Sequence, residues 1–164
     1  MMVEIVPMTM EDAEEKAYVH WKSWHETYTG LIDQEYMNKT TLKKCIDIAK
    51  RWPDGLLVAK VDGRVVGFAG YGAYRDATLP DTGEVYSIYV LQEAQSKKIG
   101  YALMKAACER LRDYSQVAVW VLKGNEKAIR FYERYGYQFD GAEQPILLGT
   151  ERTELRMLYK QKEA

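Results

Sequence analysis

The sequence has few of the residues that usually bind metals or form cross-links. It contains two cysteines and two histidines in 164 residues. Cys45 and Cys108 lie far apart in stretches with helical patterning and lack C-x-x-C spacing, so we interpret both as free structural thiols. His20 and His25 miss the i, i+4 spacing that brings two histidines together on a helix. We therefore expect no metal centre.

Long apolar runs and an excess of one charge are also missing. Nowhere do about 18 apolar residues follow one another, and the N-terminus, MMVEIVPMTMEDAEEK, lacks an apolar stretch of signal-peptide length. The 23 basic and 24 acidic residues give a formal net charge of -1, so no overall field attracts nucleic acid or an anionic membrane. We expect a cytoplasmic protein with neither partner, in which any anion site is local.

What is present has the proportions of an ordinary globular domain. Hydrophobic residues make up 47% and charged residues 29% of the chain, and this length is enough for one real core. No internal repeat, low-complexity tract or linker is apparent. The sequence therefore predicts a single domain over residues 1–164.

The first part of the sequence predicts a strand followed by two helices. Residues 3–6 have a strand pattern, and Thr9 with Asp12 forms the capping box of a helix. Gly30 ends that helix, and a second one is predicted over about residues 33–51. The first helix carries aromatic and small residues at helical spacing: Ala13, Ala17, Trp21, Trp24 and Tyr28.

An antiparallel segment comes next. After the turn Trp52-Pro53-Asp54-Gly55, the pair Asp62-Gly63 joins two β-rich runs, LLVAKV and RVVGFAGYGAY, as a hairpin. Beyond a loop over residues 75–83, EVYSIYV predicts a third strand. Simple alternation places four of its residues on one face: Glu84, Tyr86, Ile88 and Val90.

The last part predicts a parallel crossover and two closing strands. A helical stripe precedes the apolar strand QVAVWVL, which makes a strand, helix, strand unit. Asn125 is placed to cap a last helix through Tyr135, with Gly136 at its end. Residues 137–139 and 153–159 predict two more strands. The stripe comprises Ile99, Ala102, Leu103, Ala106, Ala107 and Leu111.

One join between a strand and a helix has the features of an anion site. The stretch QSKKIGYALM, residues 95–104, begins a helix whose first amides have no partner within the helix, and such amides attract phosphate. The same stretch is equally compatible with a solvated helix start that carries surface lysines.

Two motifs together change this balance. Q-x-x-x-x-G-x-A runs from Gln95 to Ala102, and NEKAIRFYERYGY runs from Asn125 to Tyr137. Together they resemble the pyrophosphate loop and the last-helix motif of the GNAT family of acyl-CoA-dependent N-acyltransferases. The order of elements along the chain and the run S-W-x-x-x-Y-x-G-x-I at residues 23–32 are also similar to that family.

The resemblance implies a fold and a function. The fold is of the α/β (α+β) class, a single GNAT-like domain with a mixed, mostly antiparallel sheet of about six or seven strands and about four helices. The function is transfer of an acetyl group from acetyl-CoA to a primary amine by direct attack. The acceptor is either a small polyamine-like amine or a protein amino group.

The family's coenzyme contacts transfer onto matching positions. By resemblance, the backbone of Tyr89 and Val90 pairs with the pantetheine arm. The full coenzyme-binding set is Ile88, Tyr89, Val90, Gln95, Ser96, Lys97, Lys98, Ile99, Gly100, Tyr101, Ala102, Asn125, Ala128 and Tyr132. One position departs from the pattern, because Lys98 stands where the loop's first glycine is usual. Either Lys98 adopts ordinary helical angles, or its charge offsets the strain of positive φ.

Catalytic roles follow from the chemistry of amine attack. A lysine-like amine is almost wholly protonated at neutral pH, so a base must take its proton. Glu84 is our candidate, directly or through water, because the resemblance implies that the strand it begins lies beside the bound thioester; Tyr86 is an alternative that positions the water. By resemblance, Tyr132 is at the position of the family's last-helix tyrosine and is the candidate proton donor to the departing thiolate. Glu84 could equally be a solvated carboxylate, and Tyr132 a core tyrosine.

The acceptor pocket is the least specified part of the site. The resemblance implies that the first two helices and nearby strand loops build it, which nominates Trp24, Tyr28, Glu35 and Tyr86, with the region of residues 71–74. The same residues serve equally well as core. A non-catalytic acyl-CoA-binding sensor or interaction module is the alternative function, and a homodimer is left open.

Overall fold

Seven strands form one sheet in the computed structural model, which describes residues 2–161 and the side chains of all of these except Ser96 and Lys97. The strand order is β1-β2-β3-β4-β5-β7-β6, and only β4 and β5 are parallel. The mixed, mostly antiparallel sheet is thereby confirmed. The strands are β1 (Val3–Pro7), β2 (Leu56–Val61), β3 (Arg64–Ala73), β4 (Thr82–Val90), β5 (Gln116–Leu122), β6 (Gln138–Leu148) and β7 (Thr150–Lys160).

The described helices cover both faces of this sheet. α1 packs on β3 and β4 with α3 against it, whereas α4 packs on the opposite face over β2, β3 and β4. We call these the α1 face and the α4 face. The helices are α1 (Ala13–Tyr28), α2 (Gln34–Asn38), α3 (Leu42–Arg51), α4 (Ile99–Arg110) and α5 (Glu126–Tyr135), with short 3-10 helices at Met10–Asp12 and Gln92–Lys97.

The single helix predicted over residues 33–51 is wrong, because two helices occupy this range. Thr41 has an extended backbone, with φ -92° and ψ 160°, and its hydroxyl accepts the Lys44 backbone N–H at 3.2 Å. Threonine favours this capping conformation over a helix interior. The described part of the chain therefore has five α-helices where the sequence predicted about four.

The two closing strands are longer than predicted. β6 and β7 form a hairpin whose turn contains Gly149 at φ 83°. Most of β6 is exposed at the edge of the sheet, so its sequence lacks the apolar alternation that marks a half-buried strand. The backbone hydrogen bonds to β7 hold it in place instead.

A bulge in β4 overturns the predicted alternation. Gly70 pairs with Ser87 but Tyr71 pairs with Val85, so Tyr86 is an extra residue in β4. Gly83 faces Leu111 beside α4, and Val90 lies near Gly100 of α4. Glu84, next to Gly83 in the strand, therefore points to the α1 face, whereas Val90 points to the α4 face.

Candidate active site

A groove opens where β4 and β5 separate. The two strands pair only from Thr82 with Gln116 to Glu84 with Ala118. Beyond that point β4 stays paired with β3 as far as Val90, and β5 stays paired with β7 as far as Leu122. Among the described residues, no strand covers the β5-facing edge of β4 from residue 85 to residue 90. Its free backbone groups can bind an extended ligand chain.

The predicted phosphate loop lies beside the end of this groove. The carboxamide of Gln95 donates to the Val90 carbonyl at 3.1 Å and accepts from the Lys127 ammonium. It thereby links the loop to both β4 and α5. Ser96 and Lys97 were also predicted to contact the coenzyme, but their side chains lie outside the described residues.

Lys98 has a left-handed backbone conformation, which glycine adopts without steric cost. Its φ of 58° and ψ of 24° are left-handed, so the expectation of ordinary helical angles is wrong. The side chain is exposed, and α4 begins at the next residue. The first amides of a 12-residue helix thus point away from the helix toward the loop.

The next residues of α4 pack against α5. A Cβ atom at Gly100 would lie 3.2 Å from Phe131 Cε1, so this glycine permits the close approach of the two helices. Ile99 is buried in the core, and Ala102 is partly buried. Tyr101 is half exposed and its ring lies 5.2 Å from that of Tyr135.

α5 presents the remaining residues of the motif. The Asn125 side chain accepts the Ala128 backbone N–H at 3.4 Å and caps the helix, as the sequence predicted. Asn125 is 7% exposed and Tyr132 is 9% exposed. The Tyr132 ring packs edge-to-face against Phe131 and Tyr137.

Three tyrosine hydroxyls form a cluster between α1, β4 and α5. Tyr28, Tyr89 and Tyr132 lie close enough to interact electrostatically. Burial, followed by the effect of Tyr28, raises the pKa of Tyr132, so this hydroxyl stays protonated at neutral pH. Within the described part of the chain, the Tyr132 hydroxyl has no hydrogen-bond partner. It is free to donate to a ligand.

Glu84 is fully buried and paired with Arg75. Its two carboxylate oxygens accept from the Arg75 guanidinium, and Oε1 also accepts the Arg75 backbone N–H at 3.1 Å. Arg75 additionally lies 3.5 Å from Glu154 and 5.5 Å from the Trp120 ring centroid. A proton can reach Glu84 only if it competes with this pairing.

A cavity of about 330 Å³ opens on the α1 face of β4. Of the predicted acceptor residues, Trp24 and Tyr86 line it, together with Tyr71. Tyr28 belongs to the hydroxyl cluster instead, and Glu35 is exposed on α2 and is not part of the lining. The Tyr86 hydroxyl donates to the Ala73 carbonyl.

The sequence interpretation missed the most polar part of this cavity. Lys16 and His20 line it beside Trp24, at the i, i+4, i+8 spacing of one helix face. That spacing is visible in the sequence, but of these three residues the predicted helical stripe included only Trp24. Nothing in the loop sequence marked Arg75 as the partner of Glu84.

Two kinds of feature are absent from the part of the chain that the structure describes. Residues 2–161 contain no group of three or more histidine, cysteine, aspartate or glutamate side chains arranged to hold a metal ion. No helix in this range is long and apolar enough to cross a membrane.

Known proteins are similar to this chain in sequence and in fold. The sequence model of the acetyltransferase (GNAT) family matches residues 11–137. The protein belongs to the GNAT family. The N-acetyltransferase YuaI of Bacillus subtilis, itself uncharacterised, is 36% identical over 138 residues, which cover 82% of this chain and 79% of YuaI.

Two other proteins are similar to this GNAT protein, one in sequence and one in fold. The spermine/spermidine N(1)-acetyltransferase of Bacillus subtilis is 29% identical over 109 residues, covering 60% of this chain and 70% of that enzyme. The PaiA N-acetyltransferase of Thermoplasma acidophilum, solved in complex with coenzyme A, superposes with a TM-score of 0.74. It is 23% identical, and the match covers 98% of this chain and 99% of that one.

Proposed function

We propose that this GNAT protein transfers an acetyl group from acetyl-CoA to a primary amine by direct attack within a ternary complex. The position of Tyr89 carries the proposal. Tyr89 belongs to the stretch of β4, residues 85–90, whose β5-facing edge has no strand partner among the described residues, and its ring lines the cavity on the α1 face. One strand thus separates a site for an extended coenzyme from a site for a small acceptor.

The residues of the groove fit coenzyme A. The free edge of β4 at Ile88, Tyr89 and Val90 would pair with the amides of the pantetheine arm, and the first amides of α4 would bind the pyrophosphate. Asn125, already turned toward its own helix, would contact the arm beside Ala128. When bound, the coenzyme supplies an acyl group activated as a thioester.

A protonated acceptor amine must lose two protons in all, one to a base before it attacks and one after the new bond forms, and the departing sulfur must gain one. The nitrogen forms its bond to the acetyl carbon as the carbon–sulfur bond breaks. Tyr132 would donate the proton to sulfur, because its hydroxyl is protonated and makes no hydrogen bond with the described residues. The backbone N–H groups of β4 would stabilise the negative charge that develops on the carbonyl oxygen.

The identity of the base remains a prediction from the sequence. Glu84 lies on the α1 face of β4, where the acceptor cavity is, which supports a role in proton removal. Its pairing with Arg75 opposes that role, because both of its oxygens already accept hydrogen bonds. Glu84 acts as the base only if water or substrate relaxes this pair.

Release of free thiol from acetyl-CoA across a panel of primary amines tests the proposal. We expect release with at least one acceptor, together with coenzyme binding in a calorimetric titration. Clear coenzyme binding without release across the whole panel would support the non-catalytic sensor instead. Absence of binding would contradict both functions.

A further inference from the structure

The inner end of the acceptor cavity contains a lysine that is almost completely buried. Lys16 on α1 is 3% exposed, and its Nζ lies 4.4 Å from the centroid of the Phe68 ring. Both residues line the cavity. Lysine is rarely buried without a partner, because removal of an ammonium from water costs several kcal/mol.

No carboxylate within residues 2–161 compensates this charge. Lys16 forms no ion pair, and the one electrostatic neighbour that affects its pKa is the Cys45 thiol. Asp54 also lines the cavity, but it is exposed and does not influence Lys16. Burial consequently lowers the pKa of Lys16. The ring of Phe68 offsets part of this cost, but less than a carboxylate would.

A second polar group beside Lys16 also lacks a partner. His20, one helical turn further along α1, lines the same cavity and stacks on Tyr89 at a centroid distance of 6.2 Å. Its Nδ1 atom is buried and makes no hydrogen bond with the described residues. Buried polar groups usually have a hydrogen-bond or ion-pair partner. Two neighbouring groups in one cavity, Lys16 and His20 Nδ1, that both lack such a partner among the described residues therefore indicate that a ligand supplies it.

The remaining carboxylates near β4 do not neutralise the positive charge of Lys16 in this cavity. Glu84 is neutralised by Arg75, which also lies near Glu154. The lining beyond Lys16, His20 and Asp54 consists of aromatic, aliphatic, serine and glycine residues. A volume of about 330 Å³ is at the small end of the range for ligand pockets and suits a molecule of amino-acid size.

We infer that the acceptor is a small primary amine that also carries a carboxylate, such as an amino acid, and that Lys16 binds this carboxylate inside the cavity. The inference rests on the proposed acetyl transfer and names its substrate class. The carboxylate accepts from the Lys16 ammonium, while the amine lies toward Tyr89 and the groove. A polyamine offers no anion and adds positive charge beside Lys16, so it fits this cavity poorly.

Matched acceptors test this specificity. The two amines of a matched pair share one carbon skeleton and differ only in having a carboxylate or a carboxamide, as leucine and leucinamide do. Spermidine serves as a cationic acceptor for comparison. We measure kcat/KM from thiol release for the wild type and for Lys16→Met, which keeps the unbranched apolar stem. At least one acid should exceed its amide and spermidine by about tenfold or more, and Lys16→Met should abolish that preference.

Two control variants separate charge from packing. Lys16→Arg keeps a cation and should retain the preference for the acid. Lys22→Met removes an exposed charge from the same helix and should leave the preference unchanged. Thermal unfolding of each variant shows whether it is folded. A preference for amides or spermidine in the wild type, or an acid preference that survives in Lys16→Met, would overturn the inference.

A binding experiment distinguishes this inference from the proposed reaction. Calorimetric titration of each amine into the protein with saturating coenzyme A reports acceptor binding without turnover. Acids that bind through Lys16 but are not acetylated would support the inference and contradict the reaction. Acetylation confined to amines without an anion would support the reaction and overturn the inference. Failure of every carboxylate-bearing amine to bind would also overturn it.

Discussion

Tyr132 shows how a residue's environment separates a catalytic role from a structural one. Its ring is packed into the core, whereas its hydroxyl makes no hydrogen bond within the described residues. A core tyrosine with a bonded hydroxyl would lose stability when that hydroxyl is deleted. In Tyr132 the ring makes the packing contacts, and the hydroxyl is available to donate a proton.

Tyr132→Phe should therefore keep its melting temperature and much of its coenzyme affinity, while kcat falls by roughly 10²-fold or more, the scale of general acid catalysis. Equal losses in kcat and kcat/KM would place the contact in the transition state. Tyr137→Phe is the matched control, because that hydroxyl contacts Met104 Sδ at 3.3 Å and should not affect turnover. An active but destabilised Tyr132→Phe would disprove the assignment.

Lys98 carries a conformational cost beside the expected phosphates. A left-handed conformation costs a residue with a Cβ about 1 kcal/mol relative to glycine. Lys98→Gly removes the strain and the charge, whereas Lys98→Ala removes only the charge. We expect Lys98→Gly to unfold at a higher denaturant concentration than Lys98→Ala. Both variants should bind coenzyme A more weakly than the wild type, and their affinity should depend less on salt concentration.

The outcome decides why a lysine occupies the loop. Weaker binding by both variants would show that the charge compensates the strain. Tighter binding by Lys98→Gly, with unchanged salt dependence in isothermal titration, would show instead that the lysine is merely tolerated.

Glu84 has two roles in competition. Glutamine at this position keeps a hydrogen-bond acceptor but leaves Arg75 with Glu154 as its one carboxylate partner among the described residues, so we expect Glu84→Gln to lose about 1–3 kcal/mol of stability. Turnover should then fall by a similar factor at every pH, and Arg75→Met should reproduce the stability loss. A loss confined to low pH and rescued at high pH would instead identify Glu84 as the general base, since a deprotonated acceptor needs none.

The elements of the site depend on two local irregularities and one close approach. The bulge at Tyr86 turns Glu84 and Tyr89 toward the same face, and the separation of β4 from β5 frees the edge of β4. Gly100 then allows α5 to approach α4. These three features arise from strand pairing and helix packing, and the overall amino-acid composition does not reveal them.

Gly100 offers a test of the start of α4 as an anion site. Ala and Asp at this position both crowd Phe131, but only Asp places a negative charge among the first amides of the helix. Acids stabilise helix N-termini, so Gly100→Asp should be at least as stable as Gly100→Ala. Its coenzyme affinity should nevertheless be about tenfold lower or worse at low salt. Equal affinities in titration calorimetry would place the pyrophosphate elsewhere.

The whole molecule should lose stability in mild acid because of His20. Burial, with a smaller contribution from Lys16, lowers the pKa of His20 to about 4 from 6.5 in the unfolded chain. Between these values the unfolded state binds more protons, so stability falls as the pH drops through this window. A shift of this size corresponds to about 3 kcal/mol at the acid end. His20→Gln should flatten the profile in urea unfolding between pH 4 and pH 7, whereas an unchanged slope would assign it to other groups.

The sequence by itself determined the features that local chemistry controls. The Asp62-Gly63 turn, the Asn125 cap and the amides at the start of α4 depend on neighbours within a few residues, and the sequence predicted each of them. The two motifs that resemble the GNAT family, at residues 95–102 and 125–137, were recognised for the same reason. Both sets of residues are contiguous in the chain.

Only the tertiary structure decided the features that arise between distant segments. The alternation of residues in the β4 sequence does not reveal the bulge at Tyr86, because the bulge is set by how β4 pairs with β3. The ion pair of Glu84 with Arg75 and the cavity around Lys16 likewise require α1, β3 and β4 to pack together. Burial and charge compensation are properties of such three-dimensional neighbourhoods, so an isolated lysine in a helical stripe looks the same in the sequence whether or not an anion belongs beside it.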